Sequence, residues 1–293
     1  MNPALLRNLK LVAAMALGAL CPTAHQLGFL IRYLIMAMLW MAFLEVGFVK
    51  FRREHATILL ANWLIGLLGW AVLTPFDRQL GLAALLIGLT PTATAAPVIT
   101  GMLGGRVEFV TGSLLVTNLA AGLLFPVILP PLLGTHADIP RLPFLVQTAG
   151  IVLVPFALAQ AVRIAAPAIT SRILTYRGAS FYAWLTVLFL ATANASHFMR
   201  TSFCGITSAA ELALLAALLC LLNFSIGRRI GGAFLGQEAS QSLGQKNTML
   251  TLWLALTFVN PLVALGPTFY IICHNSYNAW QLARSKHRAS PSP

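Results

Sequence analysis

The stretch FLGQEASQSLGQKNTML, residues 234–250, decides how this chain is read. It lies between IGRRIGGA at 226–233 and TLWLALTFVNPLVALGPTFYIICH at 251–274. The long flank after it is strongly apolar, yet its centre is polar, carries glycines and sets Lys246 between Gln245 and Asn247. A lysine at such a place needs a partner or a route to water, because an isolated charge in hydrocarbon is costly.

The surrounding chain makes hydrocarbon the relevant solvent. Of 293 residues, 58% are hydrophobic and 9% charged, against about 25% charged in soluble proteins. Mean hydropathy is +0.82. Repeated apolar runs of this length indicate an all-α integral membrane protein. The short alternating strands of a membrane β-barrel are not seen. The net charge of +12 comes from Lys and Arg spread over connecting loops, so no nucleic-acid partner is expected. Cys21, Cys204, Cys220 and Cys273 lie in or beside apolar runs without a CxxC pair, which fits reduced thiols and no metal. HExxH, GxSxG and Walker patterns are missing, as are paired carboxylates within a span. Neither an enzyme, with catalytic residues, nor a cofactor is expected.

About ten hydrophobic segments can be drawn, near 8–23, 27–48, 56–75, 79–103, 107–133, 143–166, 180–197, 208–230, 236–257 and 260–281. The first resembles a signal peptide, with Arg7 and Lys10 before LVAAMALGALCPTA, but the topology works best if it stays as a helix. With both termini cytoplasmic, fourteen basic residues fall inside, and Arg32, Arg78, Arg141 and Arg200 fall outside, with Lys246 on neither side. A multi-pass protein of the plasma (inner) membrane is expected.

The fourth segment shares the oddity of the ninth. It contains GLTPTATAAPVITGMLGG at 88–105, where Pro91 and Pro97 flank small and hydroxylated residues. Both segments read as helices interrupted part-way across the bilayer, about 150 residues apart, at matching places in the two halves. Such a pair points to a secondary transporter with inverted repeats. Interrupted backbone at that depth is tolerated where protein or a watery cavity surrounds it. Two kinked structural helices are the alternative.

PTATAAPVITGMLGGRVEF at 91–109, GQKNTML at 244–250 and CHNSYN at 273–278 together resemble the bile acid:sodium symporter family. The resemblance implies two inverted five-helix repeats whose broken helices 4 and 9 cross. It implies a panel domain over 1–53 and 142–200 (helices 1, 2, 6 and 7). A core domain would cover 54–135 and 205–282 (helices 3–5 and 8–10), and 283–293 is expected as a disordered basic tail. It further implies transport of a small organic anion by alternating access in the lipid bilayer.

Sodium-coupled relatives hold two sodium ions at the crossing, and here the matching positions have changed. By resemblance, side-chain ligands of the first crossover fall on Ala96 and Pro97. Hydroxyl ligands of helix 5 fall on Val110 and Leu114, with Thr111 and Ser113 one residue away. A helix 3 ligand falls on Asn62. In the second crossover the family carboxylate becomes Ser242 and the glutamine becomes Lys246. A hard cation wants oxygen ligands, whereas here a fixed cation has arrived. Lys246 has three readings: a substitute for sodium facing helix-end carbonyls, a residue snorkelling to water, or a ligand for an anionic substrate. Glu45 and Glu238 are its candidate ion-pair partners. Sodium is therefore not the expected coupling ion. Uniport, exchange or proton coupling would replace it, with a sodium-coupled symporter and a channel as alternatives.

Gln245, Asn247 and Ser242 are expected either at the ion site or tying down unwound backbone. Thr92, Thr94, Asn118, Asn247 and Asn275 are candidate substrate contacts. Asn118 and Asn223 also suit interhelical hydrogen bonds, and His274 with Asn275 suits a structural or gating role.

Overall fold

The computed structural model describes residues 3–45, 50–133, 141–176, 178–201 and 206–289. They form α1 (Pro3–Leu20), a 3-10 turn (Pro22–Leu27), α2 (Leu30–Glu45), α3 (Arg53–Leu73), α4 (Arg78–Leu89) and α5 (Ala96–Met102). These are followed by α6 (Val107–Leu133), α7 (Arg141–Ala165), α8 (Pro167–Leu174) and α9 (Ala179–Thr201). The chain ends with α10 (Ile206–Gly244), α11 (Thr248–Phe258) and α12 (Pro261–Ala289). Among the described residues there is no strand, only an isolated antiparallel bridge between Thr92 and Lys246. Cys204 lies outside the described residues. Cys21, Cys220 and Cys273 are free thiols.

Four described helices are long and apolar enough to cross a membrane, or up to five if the bent pair α8–α9 is one span. Of the other expected segments, the first, second and tenth fall on α1, α2 and α12. The fourth breaks between α4 and α5, and the ninth between α10 and α11. α8 lies between the sixth and seventh hydrophobic segments. α12 continues to Ala289.

The eighth segment and the first part of the ninth form one helical run, α10, which turns on itself at Gly232 and Leu235. Gly232 has φ 58° and ψ −146°, a region that L side chains avoid. Gly232→Ala is expected to cost about 1–3 kcal/mol of stability, read as a lowered unfolding temperature of the purified protein. Behind the turn the two arms of α10, 206–231 and 236–244, pack closely, with Ser240 Oγ donating to the Phe224 carbonyl at 2.8 Å.

α1 packs on α9, and α2 on α7 and α9. α3 packs on α4, and α10 touches α3, α4, α6 and α12. The α3–α4 contact is the tightest: a Cβ on Gly88 would stand 2.2 Å from Gly66 Cα. Asn62 lies one turn before Gly66 on the same face of α3, so this approach brings Asn62 beside the end of α4.

Candidate functional site

A helix ends with carbonyls that have no intrahelical donor. Two helices, α4 and α10, end close together at Leu89 and Gly244, among buried residues. Pro91 and the unwound residues after each end run antiparallel. Ala93 N donates to Gln245 O at 2.9 Å, and Asn247 N donates to Pro91 O at 2.7 Å. The bridge residues Thr92 and Lys246 sit at the centre.

Each bridge residue caps the opposite helix. Lys246 Nζ donates to the Gly88 carbonyl of α4 at 3.1 Å and to Asn62 Oδ1 of α3. Thr92 Oγ1 donates to the Ser242 carbonyl of α10 at 2.7 Å. The relation is reciprocal, since Gly88 stands as far before Thr92 as Ser242 stands before Lys246. Two further end carbonyls are met by hydroxyls: Thr90 Oγ1 donates to Leu86 O at 2.6 Å, and Tyr270 OH donates to Gly244 O at 2.8 Å. The difference is charge. α10 is capped by hydroxyls, and α4 by an amine whose residue is 1% exposed.

α6 clamps the first crossover from the side. Thr92 N donates to Thr117 Oγ1 at 2.9 Å, and Asn118 Nδ2 donates to Thr92 O at 2.9 Å. Asn247 Nδ2 then donates to Asn118 Oδ1 at 3.1 Å, tying the second crossover to the same helix. Gln245 Nε2 donates to Gln241 Oε1.

The structure thus brings Asn62, Thr92, Asn118, Ser242, Gln245, Lys246 and Asn247 to one crossing. Thr94 is half-buried in the first crossover. Asn275 stands apart on α12 and bonds its own helix at Ile271 O, 2.8 Å. Ala96 is buried and Pro97 half-buried in the first turn of α5, and Val110 and Leu114 are buried apolar residues of α6. The neighbouring hydroxyls of Thr111 and Ser113 bond back to Val107 O and Phe109 O.

Two expectations are corrected. Lys246 does not reach the membrane surface, being enclosed by α3 and α4. Its hydrogen-bond partners are neutral oxygens rather than the carboxylates named from sequence. Glu45 ends α2 as an exposed residue, and Glu238 Oε1 accepts from Arg106 N at 2.9 Å, pinning the turn after α5. The sequence reading missed Gly88, Thr117 and Tyr270. Gly88 contributes a backbone atom and so leaves no side-chain signal. Thr117 is flagged only by its neighbour Asn118. Tyr270 stands as a single hydroxyl in an apolar run.

A family profile described as Sodium Bile acid symporter family matches residues 22–201. No curated protein matches the chain. The profile match includes the first crossover and its clamp on α6, and it ends before Lys246.

Proposed function

The chain belongs to the sodium bile acid symporter family, and from that premise we propose that it is a sodium-independent organic-anion carrier in which Lys246 stands where relatives hold sodium. The family is one of membrane transporters and not of enzymes, and its members move organic anions or bile acids across a lipid bilayer. The apolar helices described above agree with a multi-pass membrane protein.

The observation that carries the proposal is the Lys246 Nζ–Gly88 O contact, shared with Asn62 and closed off from solvent. Helix-end carbonyls carry partial negative charge and favour a cation. A mobile sodium ion would need free oxygens with room between them. Around this crossing the side-chain oxygens of Asn62, Thr92, Thr117 and Asn118 are already engaged with protein partners, whereas Ser242 Oγ is not. An amine tethered by four methylenes meets the same electrostatic demand without an ion to load.

Inverted repeats and alternating access form part of the same proposal. Shifting the chain by the interval between Thr92 and Lys246 carries α3 onto the first arm of α10 and α4 onto its second arm. The same shift carries α5 onto α11 and α6 onto α12. We take α1, α2, α7 and α9 as a panel, and α3–α6 with α10–α12 as a core. The equivalent half-helices α5 and α11 differ in their surroundings. α11 is buried from Thr248 to Ala255 and packs on α2 and α9. α5 packs on α6 and α10 and leaves Val98 55% and Met102 63% exposed. This asymmetry supports a carrier open on the α5 side and closed on the α11 side. With both termini cytoplasmic in the inner membrane, the α5 side faces the cell interior.

Proteoliposomes test the proposal. Uptake of a labelled conjugated bile acid, or of smaller carboxylates and sulfonates, is expected to saturate and to show counterflow. It is expected to be unchanged when potassium replaces sodium at fixed ionic strength. A several-fold stimulation by sodium would favour the coupled symporter, and non-saturating flux would favour a channel.

A further inference from the structure

Beside the crossing, the second arm of α10 faces α12 across a set of polar side chains, most of them buried. Gln241 Nε2 donates to Gln281 Oε1 at 2.5 Å, and Gln241 in turn accepts from Gln245 beside Lys246. Tyr270 lies beside Asn223 and spends its single hydroxyl proton on Gly244 O. Tyr277 of α12 packs at a tilt against Phe224 of α10, with ring centroids 4.3 Å apart. Asn278 follows Tyr277 and shares a helix face with Gln281. These residues lead from the middle of the core toward the end of α12, where Gln281 is half-buried.

Three side-chain oxygens in this region have no hydrogen-bond partner among the described residues: Asn223 Oδ1, Ser242 Oγ and Asn278 Oδ1. Their residues are exposed by 0%, 0% and 1%. A buried acceptor left without a donor costs about 1–3 kcal/mol, and hydrocarbon offers no donor. Such oxygens in natural proteins are met by ordered water, which needs a polar site with two to four partners. The engaged amides of Gln241 and Gln281 supply further polar surface nearby.

We infer that α10 and α12 enclose a hydrated seam, in which ordered water joins Asn223, Ser242 and Asn278 and connects the crossing to solvent near Gln281. The seam is separate from the panel–core cleft, so it hydrates the ends of the broken helices whether that cleft is open or closed. Water there also lets the crossover residues exchange partners while the domains move, since a bridging water replaces a lost donor at little cost.

Radiolytic footprinting tests the seam without any transported ligand. A brief X-ray pulse makes hydroxyl radicals from water, bound water included, and mass spectrometry locates the oxidised side chains. The sample is the full chain in lipid nanodiscs. Tyr270 is 0% exposed, as is Phe43 in the apolar core, and Phe125 is 1% exposed. Tyr270 is expected to be modified several-fold faster than Phe43 and Phe125. Asn278→Leu is expected to slow modification of Tyr270 several-fold while leaving the exposed Met102 unchanged. Modification of Tyr270 no faster than that of the two phenylalanines overturns the inference. If the variant does not fold, the comparison within the native chain decides alone.

Discussion

Lys246→Gln is expected to lower transport at least about tenfold, corresponding to about 1.4 kcal/mol, while the protein still inserts and remains monodisperse. The substitution removes a charged cap at the crossing and shortens the side chain that spans from the second crossover to Gly88 and Asn62. What is left is a helix-end carbonyl and an amide oxygen without their donor, each buried, at about 1–3 kcal/mol. Lys246, Gly88 and Asn62 all belong to the core, so the loss is expected to lower the unfolding temperature as well as the transport rate. Size-exclusion profiles of the detergent-solubilised variant check folding, and initial uptake rates in proteoliposomes check function. Transport at the native rate in a correctly folded variant would reduce Lys246 to a packing role.

Gly88→Val is expected to have the largest effect on stability. Its Cβ would lie 2.2 Å from Gly66 Cα and 2.3 Å from Gly66 N. These are backbone atoms in the middle of a helix, and no rotamer change relieves the overlap. Overpacking of this kind costs about 1–3 kcal/mol or more. Separating α3 from α4 also moves Asn62 away from the Gly88 carbonyl, so the two acceptors of Lys246 no longer converge. A lower unfolding temperature, poor yield and loss of uptake are expected together. Gly150→Ala in α7 is the control, because a Cβ there meets nothing within 4 Å. It is expected to be neutral or stabilising by up to about 1 kcal/mol. A Gly88→Val protein as stable as the control would mean that α3 and α4 are not in this contact.

The interruption at 90–95 was legible because proline and small polar residues announce themselves in an apolar run. The one at 245–247 was legible from Gln245, Lys246 and Asn247 in the same way. That Lys246 faces the end of a helix was one of three readings open from the sequence, the one that the electrostatics of interrupted helices favours. Which helix it faced did not follow, because the answer is a backbone carbonyl at Gly88 and depends on the Gly66–Gly88 approach. The carboxylate partners named from sequence failed for a related reason. Hydropathy shows that Glu238 lies in the ninth segment but not that the turn after α5 brings the Arg106 N–H to it. The tight reversal at Gly232 was hidden as well, since a positive φ at one glycine leaves the flanking composition helical. Asn118 was read either as a substrate contact or as an interhelical tie. Its amide hydrogen bonds to Thr92 O and Leu114 O, and its oxygen accepts from Asn247, which favours the second reading.

Binding of radioactive sodium to the purified protein, in buffer free of other alkali ions, tests most directly whether a tethered amine has taken the place of the ion. The account predicts no saturable binding to the native chain at concentrations that fill the sites of sodium-coupled relatives. Saturable binding of one or more sodium ions per chain, with Lys246 intact, would contradict it.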